Sequence, residues 1–292
     1  MKSQKSAELG GGKLFLVGTP IGNLEDMTFR AIRILNEVDT IAAEDTRNTI
    51  RLCNHFEIKT PLMSYHEHNI EFGGEKILAL LGEGKSIALV SDAGMPCISD
   101  PGADIAAKAI AAGYDVVPVP GANAAISALV ASGLVPQPFL FVGFVSRQKK
   151  ERTSQLDVLK RREETVILYE APHRLKETLR ALEGSFGGTR RVTLARELTK
   201  RFEEFLRGTL EEAVLWAESN EIRGEFCIVI EGSDGNVEEQ QDVWWSGIEV
   251  RDHVIEVMTR KELRSKEAIR EVAIERGISR RDVYKEYHVE SE

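Results

Sequence analysis

Short apolar runs alternate with helical patterns along most of this chain, and that alternation is what most constrains its fold. LFLV (14–17), TIAA (40–43), SIALV (86–90) and DVVPV (115–119) are too apolar for loops and too short for helices. Between them the spacing predicts a helix over 28–36, a polar helix start at EDTRNT, and an Ala-rich helix that stops at Gly113, a residue suited to a left-handed cap. A second Ala-rich helix spans 122–132. The pattern then restarts with FLFVGF (139–144), a basic helix over 147–162, TVILYE (165–170) and RVTLARE (191–197). A helix over 209–217 opens on a capping box, Thr209 with Glu212, and EFCIVIEG (225–232) is the last strand. Strands and helices in this order predict α/β architecture. A chain of 292 residues has room for two domains and an appendage. The expected division is a flexible N-terminus (1–12), an α/β domain (13–121), a second α/β domain (122–232), a linker (233–242) and a helical domain (243–292), with a cleft between the two α/β domains.

The tail is read as helices. Ser265 is placed as an N-cap, with Ile269, Val272 and Ala273 on one face and Gly277 ending the helix. Ser279 caps the next helix, Asp282 follows three residues on, and Val283 faces inward. Ala273, Gly277 and Val283 have helix-turn-helix spacing, and a plain αα-hairpin fits the same residues.

Several function classes recede on bulk properties. Cys53, Cys97 and Cys227 are far apart with no CxxC spacing, so neither a disulfide framework nor a zinc site is expected, and a reducing cytoplasm is. No metal is called for, since HEH at His66 to His68 lacks partner ligands. No apolar run reaches membrane-spanning length, and MKSQKSAELGGGK lacks the apolar core of a secretory signal. A net charge of −9 excludes nucleic-acid binding by bulk charge and leaves only local basic patches.

In open α/β sheets ligands sit beyond the C-terminal ends of the strands. GTPIGNLED (18–26) is neither GxGxxG nor a Walker loop, and Pro20 removes an N–H that a phosphate cradle would use. The loop in LVSDAGMPCISDPG carries Asp92 and Asp100, acceptors for a ribose diol or attractors of a cationic sulfonium or amine. Gly94 and Gly102 allow close backbone approach, and Pro96 and Pro101 stiffen the loop. A positively charged nucleoside fits this set better than a polyphosphate. Helix capping by Asp100 is the competing explanation for part of it.

GTPIGNLEDMTFRA, AEDTRNT, SYHEHN, LVSDAGMPCISDPG, VPGANAAISAL, FVGF, EAPHRL, ARELTKRFEE and RGEFCIVIEG occur in that order, from about Lys13 to Gly232. Together they resemble the tetrapyrrole methylase superfamily, and more narrowly its cytidine 2′-O-methyltransferases of 16S rRNA. Met95 and the stretch 144–147 depart from the usual pattern. The resemblance implies two α/β domains of the tetrapyrrole methylase type with S-adenosylmethionine in the cleft, a small C-terminal helical domain, 16S rRNA in the 30S subunit as substrate, and a homodimer. Carried over by position, it implies cofactor binding by Pro20, Ser91, Asp92, Ala93, Gly94, Ile98, Gly121, Ala122, Tyr169, Arg196 and Glu197.

A ribose hydroxyl is a poor nucleophile, so a base or a cation should sit nearby. Glu44, Arg47 and Lys200 are the candidate catalytic residues; Asp45, Glu203, Glu204 and HEHN (66–69) are neighbours that salt bridges or groove lining explain equally well. Arg147, Lys149, Lys150, Arg152 and Arg161 form the candidate RNA-binding patch, one sign of charge predominating. Arg260, Lys261, Arg264, Lys266, Arg276, Arg280 and Arg281 form a second patch that acids partly cancel. Two alternatives remain at this point: a methyltransferase of corrin-type tetrapyrroles, and a ligand-sensing DNA-binding regulator.

Overall fold

The computed structural model describes residue 4, residues 12–235, residue 245 and residues 247–288. Most of the expected flexible N-terminus and of the expected linker, and the first residues of the expected helical domain, lie outside the described residues. The chain divides into two compact units, 1–233 and 234–292.

The first unit begins with β1 (Lys13–Val17), α1 (Phe29–Glu37), β2 (Thr40–Ala43), α2 (Thr46–His55), β3 (Leu62–Ser64), α3 (Ile70–Gly82), β4 (Ile87–Val90), α4 (Ala103–Ala112) and β5 (Asp115–Val119). Its sheet has the order β3-β2-β4-β1-β5, and every pairing in it is parallel. Helices cover both faces, so alternate residues of one strand enter different cores. Ala88 and Val90 pack with α1 and α2; Ile87 and Leu89 pack with α3 and α4. That two-sided burial is why β4 reads as an unbroken apolar run. Residues β3 and α3 were not legible as elements: β3 has three residues, and α3 carries Gly73 and Gly74 in its interior.

The second half of the unit has α5 (Ala124–Ser132), β6 (Phe139–Gly143), α6 (Lys149–Leu159), β7 (Thr165–Glu170), α7 (Leu175–Phe186), β8 (Arg191–Arg196), β9 (Glu204–Thr209), α8 (Leu210–Ser219) and β10 (Phe226–Ile230). Its sheet runs β6-β7-β10-β8-β9, with β10 antiparallel to both neighbours and β9 antiparallel to β8. On one face, Val166, Leu168, Val192, Leu194, Ile228 and Ile230 bury against α6, α7 and α8. On the other, Ile167, Val229 and Cys227 pack on Ala125, Ala128 and Leu129 of α5. Helix α5 follows the first sheet in the chain but serves the core of the second. The capping box of α8 forms as expected: Thr209 N–H donates to Glu212 Oε2 at 2.9 Å, and Glu212 N–H donates to Thr209 Oγ1 at 3.3 Å.

The second unit holds α9 (Val250–Lys261), α10 (Ser265–Arg276) and α11 (Arg280–His288). Val250, Val254, Val257, Ala268, Ile269, Val272, Ala273 and Val283 form a core of its own. Ser265 is the first helical residue of α10, and Arg264 occupies the cap position. Gly277 ends α10 in the left-handed region, at φ 64°, and Ser279 Oγ accepts from Asp282 N–H at 3.2 Å at the start of α11.

Val283 is the buried residue of α11. A carboxylate there would have no partner in an apolar core, so Val283→Asp should destabilise the three-helix unit by more than ~3 kcal/mol. Hydrogen exchange would show it: amides of α9–α11 should lose protection while those of β1–β10 keep theirs.

Candidate active site in the cleft of the first unit

Reciprocal backbone hydrogen bonds join the loops after β1 and β4. Thr19 N–H donates to Gly94 O at 2.9 Å, and Gly94 N–H donates to Thr19 O at 3.1 Å. Thr19 Oγ1 also donates to Ser91 O at 3.3 Å. The loop after β5 closes on the same point. A Cβ added at Gly121 would lie 2.8 Å from Gly18 Cα, and one at Gly18 would lie 2.7 Å from Gly121 Cα. Only glycine at both positions lets these backbones meet. The β4–α4 loop carries further tension, with Cys97 at φ 73° and Ser99 at φ 62°.

Above this floor lies a cavity of about 250 Å³. The first half contributes Ile21, Ala93, Gly94, Ile98 and Asp100. The second contributes Phe144, Tyr169, Glu197, Lys200 and Phe226, and Asn123 and Ala124 come from the start of α5. The antiparallel register explains the second set: Phe226 lies opposite both Glu170 and Arg196, so the ends of β7 and β8 and the start of β10 share one edge. Tyr169 is anchored there, its hydroxyl accepting from Ala125 N–H at 3.1 Å and its ring 5.0 Å from that of Phe141.

Asp100 does not cap α4. That helix starts at Ala103 with Gly102 in the cap position and no side-chain cap. Asp100 lines the cavity instead. Burial, with the carboxylates of Glu44 and Asp92 nearby, pushes its pKa up to about 6. Glu44 is also raised, by burial first and then by the carboxylates of Asp92, Glu67 and Asp45, against the lowering effect of the Asp92 N–H. Asp92 itself turns to α2: its Oδ1 accepts from Asp45 N–H at 3.2 Å and its Oδ2 from Asn48 at 2.9 Å. Asp45 caps α2 and pairs with Arg47 at 2.7 Å, and Arg47 is exposed.

Lys200 reaches across the cleft. Its stem lies so close to Gly22 that a Cβ there would meet Lys200 Cγ at 2.4 Å. Its Nζ is 2.9 Å from both Glu197 Oε1 and Glu225 Oε2. Burial would lower its pKa, but the two carboxylates outweigh that and raise it, so Lys200 stays cationic.

The expected cofactor residues therefore divide. Ala93, Gly94, Ile98, Tyr169 and Glu197 line the cavity; Gly121 forms its floor; Ser91 lies beside Asp100, its Oγ donating to Ala93 O at 3.4 Å. Pro20 and Ala122 sit beside the paired loops, and Asp92 and Arg196 are engaged elsewhere, Arg196 donating to Arg223 O at 2.7 Å and to Glu204 at 3.2 Å. Of the basic patch, Arg147, Lys149, Lys150 and Arg161 are exposed. Arg152 is a correction: it is 4% exposed and its guanidinium is held by Glu177, so it offers no surface charge. Asn123, Phe144, Lys200, Glu225 and Phe226 line the cavity as well. Lys200 was singled out only for catalysis, and the others lay inside quoted motifs without a signal separating them from core or capping residues.

The Asp100 shift fixes the sign of a pH effect. Its folded pKa lies above its ordinary value, so its contribution is most favourable below about pH 4 and is lost as pH rises through about 6. Asp100→Asn should raise the melting temperature relative to the parent protein at pH 7, and the gain should vanish towards pH 4. Thermal melts across that range would show it.

The profile of the tetrapyrrole (corrin/porphyrin) methylase family matches residues 13–214. A Bacillus subtilis protein named ribosomal RNA small subunit methyltransferase I is 56% identical over 278 residues, spanning 95% of this chain and 94% of the relative. Its namesake from Halalkalibacterium halodurans is 54% identical over 292 residues, 99% and 100% of the two chains. Among solved structures, uroporphyrin-III-C-methyltransferase from Thermus thermophilus is similar, with TM-score 0.53 at 21% identity over 78% of this chain and 98% of that one, a likeness of fold. The chain belongs to the tetrapyrrole methylase family and, within it, groups with the ribosomal RNA small subunit methyltransferase I proteins.

Proposed function

We propose that this methyltransferase moves a methyl group from S-adenosylmethionine to the ribose 2′-oxygen of a cytidine in the decoding region of 16S rRNA, within the 30S subunit, working as a cytoplasmic homodimer. The observation that carries the cofactor is the cavity's chemistry: largely apolar walls with the half-buried carboxylate of Asp100, while Glu197 and Glu225 are taken up by Lys200, over a floor where glycines bring backbones together. Those residues fit a cationic nucleoside. The substrate class rests on the names of relatives more than half identical over nearly the whole chain.

When bound, S-adenosylmethionine supplies an electrophilic methyl group on a cationic sulfur. Asp100, Ser91, Ala93, Gly94 and Gly121 are the residues proposed to hold it from the first half. Ile98, Tyr169 and Phe226 exclude water, which strengthens every charge interaction inside. Glu44, with its raised pKa, is the proposed acceptor of the hydroxyl proton, at a carboxylate oxygen. Lys200, fixed between Glu197 and Glu225, supplies a cation that spans the cleft rather than a base. Arg47 is exposed and salt-bridged, and its proposed part is in holding the RNA backbone. Arg147, Lys149, Lys150 and Arg161 are proposed to share that task. Among the described residues no helix is long and apolar enough to cross a membrane, and no cluster of metal-binding side chains occurs.

The test is methyl transfer from labelled S-adenosylmethionine to 30S subunits from cells lacking this protein. Label should appear as 2′-O-methylcytidine in the decoding region. Absence of label from 30S subunits and free 16S rRNA, with the cofactor still bound, would sink the rRNA reading and turn attention to corrin-type tetrapyrroles. Asp100→Asn should weaken S-adenosylmethionine binding on the order of tenfold by calorimetry. Glu44→Gln should instead lower kcat by about a hundredfold with cofactor affinity unchanged.

A further inference from the structure

We propose that α11 is an RNA-binding surface, on which Arg281 and Lys285 take backbone phosphates while Tyr284 and His288 stack an unpaired base. The proposal deepens the ribosomal RNA reading and rests on it for the identity of the polyanion.

Residues 281, 284, 285 and 288 are spaced three and four apart, so they share one face of a helix. Val283 points the opposite way, into the core of the three-helix unit, so the shared face looks outward. All four side chains are exposed, Tyr284 by 56%. Arg281 and Lys285 make no ion pair among the described residues. The Tyr284 and His288 rings lie 4.3 Å apart on the same face, tilted by 52°.

Several cations of this unit are already engaged. Arg260 is paired with Glu256, and Lys261 with Glu271 and Glu275. Arg276 is spent on His253, on Ile248 O and on the ring of Trp245. Asp282 is tied to the cap, accepting from Ser279 Oγ at 2.6 Å. So Arg260, Lys261 and Arg276 are engaged inside the unit, whereas Lys266 and Arg270 of α10 make no ion pair among the described residues, and the outward face of α11 carries two cations, two aromatic rings and no acid. Exposed aromatic rings beside unpaired cations suit the bases and phosphates of a single strand; a duplex would offer the phosphates but keep its base faces hidden.

The experiment uses the full-length protein and fluorescence anisotropy with a labelled single-stranded RNA from the 16S decoding region, against duplex DNA of equal length. The double variant Arg281→Glu/Lys285→Glu should bind the RNA at least about tenfold more weakly, and its log Kd should lose a salt slope of about 0.7 per phosphate contact removed. Tyr284→Ala should weaken binding on the order of tenfold with the salt slope unchanged. Arg281→Lys/Lys285→Arg should bind as the parent does, and every variant should keep the parent's hydrogen-exchange protection in α9–α11, which excludes misfolding of the three-helix unit. Unchanged affinity and slope in the charge-reversed variant would overturn the proposal, as would a preference for the duplex. The two readings fail separately: RNA binding that depends on α11 without methyl transfer removes the rRNA substrate but keeps this surface, and methyl transfer with α11 silent does the reverse.

Discussion

Two backbone hydrogen bonds, exchanged by Thr19 and Gly94, are what the cleft is built on. They join the loops after β1 and β4, adjacent strands of the first sheet, and so convert two independent loops into one surface. The contact of Gly18 with Gly121 adds the loop after β5. These contacts use main chain, so they set geometry without consuming the side chains of the site. Asp100, Ile98 and Ile21 are left to face the cavity. The second half needs no such device, because the mixed register of β7, β10 and β8 already aligns their ends on one edge.

The carboxylates around the cleft divide by partner. Those with a cation or several N–H donors are committed to architecture: Asp45 caps α2 and is held down to about 2 by Arg47, and Glu170 is buried against Thr178, Ala171 N–H and Arg174. Asp92 accepts from Asp45 N–H and Asn48. Asp100 and Glu44 make no ion pair among the described residues and are raised by burial. Groups left with raised basicity beside a cavity are the ones available for chemistry. Lys200 belongs to the architectural class by the same measure, since two carboxylates already hold its ammonium.

Legibility followed burial. Strands β2 and β7, buried on both faces, read to the residue from their apolar runs, and β5 did so although it is an edge strand with Pro118 exposed. Strand β9 did not: it is an edge strand, half-buried, and its start lies among the charges of ARELTKRFEE. Helix α7 escaped for a related reason, with charged residues between its buried leucines. At the site, the glycines and Asp100 were legible because loop chemistry demanded a reason for them. Glu225 was not, since its role depends on Lys200 arriving from another loop, a contact that no local pattern encodes. Arg152 misled for the opposite reason. Its sequence neighbours are exposed cations, but its position on α6 turns it inward to Glu177.

The place of β1 in its sheet also bears on how the chain is made. Leu14 pairs with Ile87 on one side and with Val116 on the other. Of the described strands β1 is made before both of its partners: the apolar face of LFLV has no sheet to join until β4 has emerged through Val90, and it is flanked on both sides only after Val119. Strands β8 and β9, separated by one short loop, pair as soon as both are out. Synthesis is slow compared with local folding, so the early chain spends that interval with a central strand exposed. The period of vulnerability to misassociation falls before Val119 has emerged, and it ends when the cleft's floor closes.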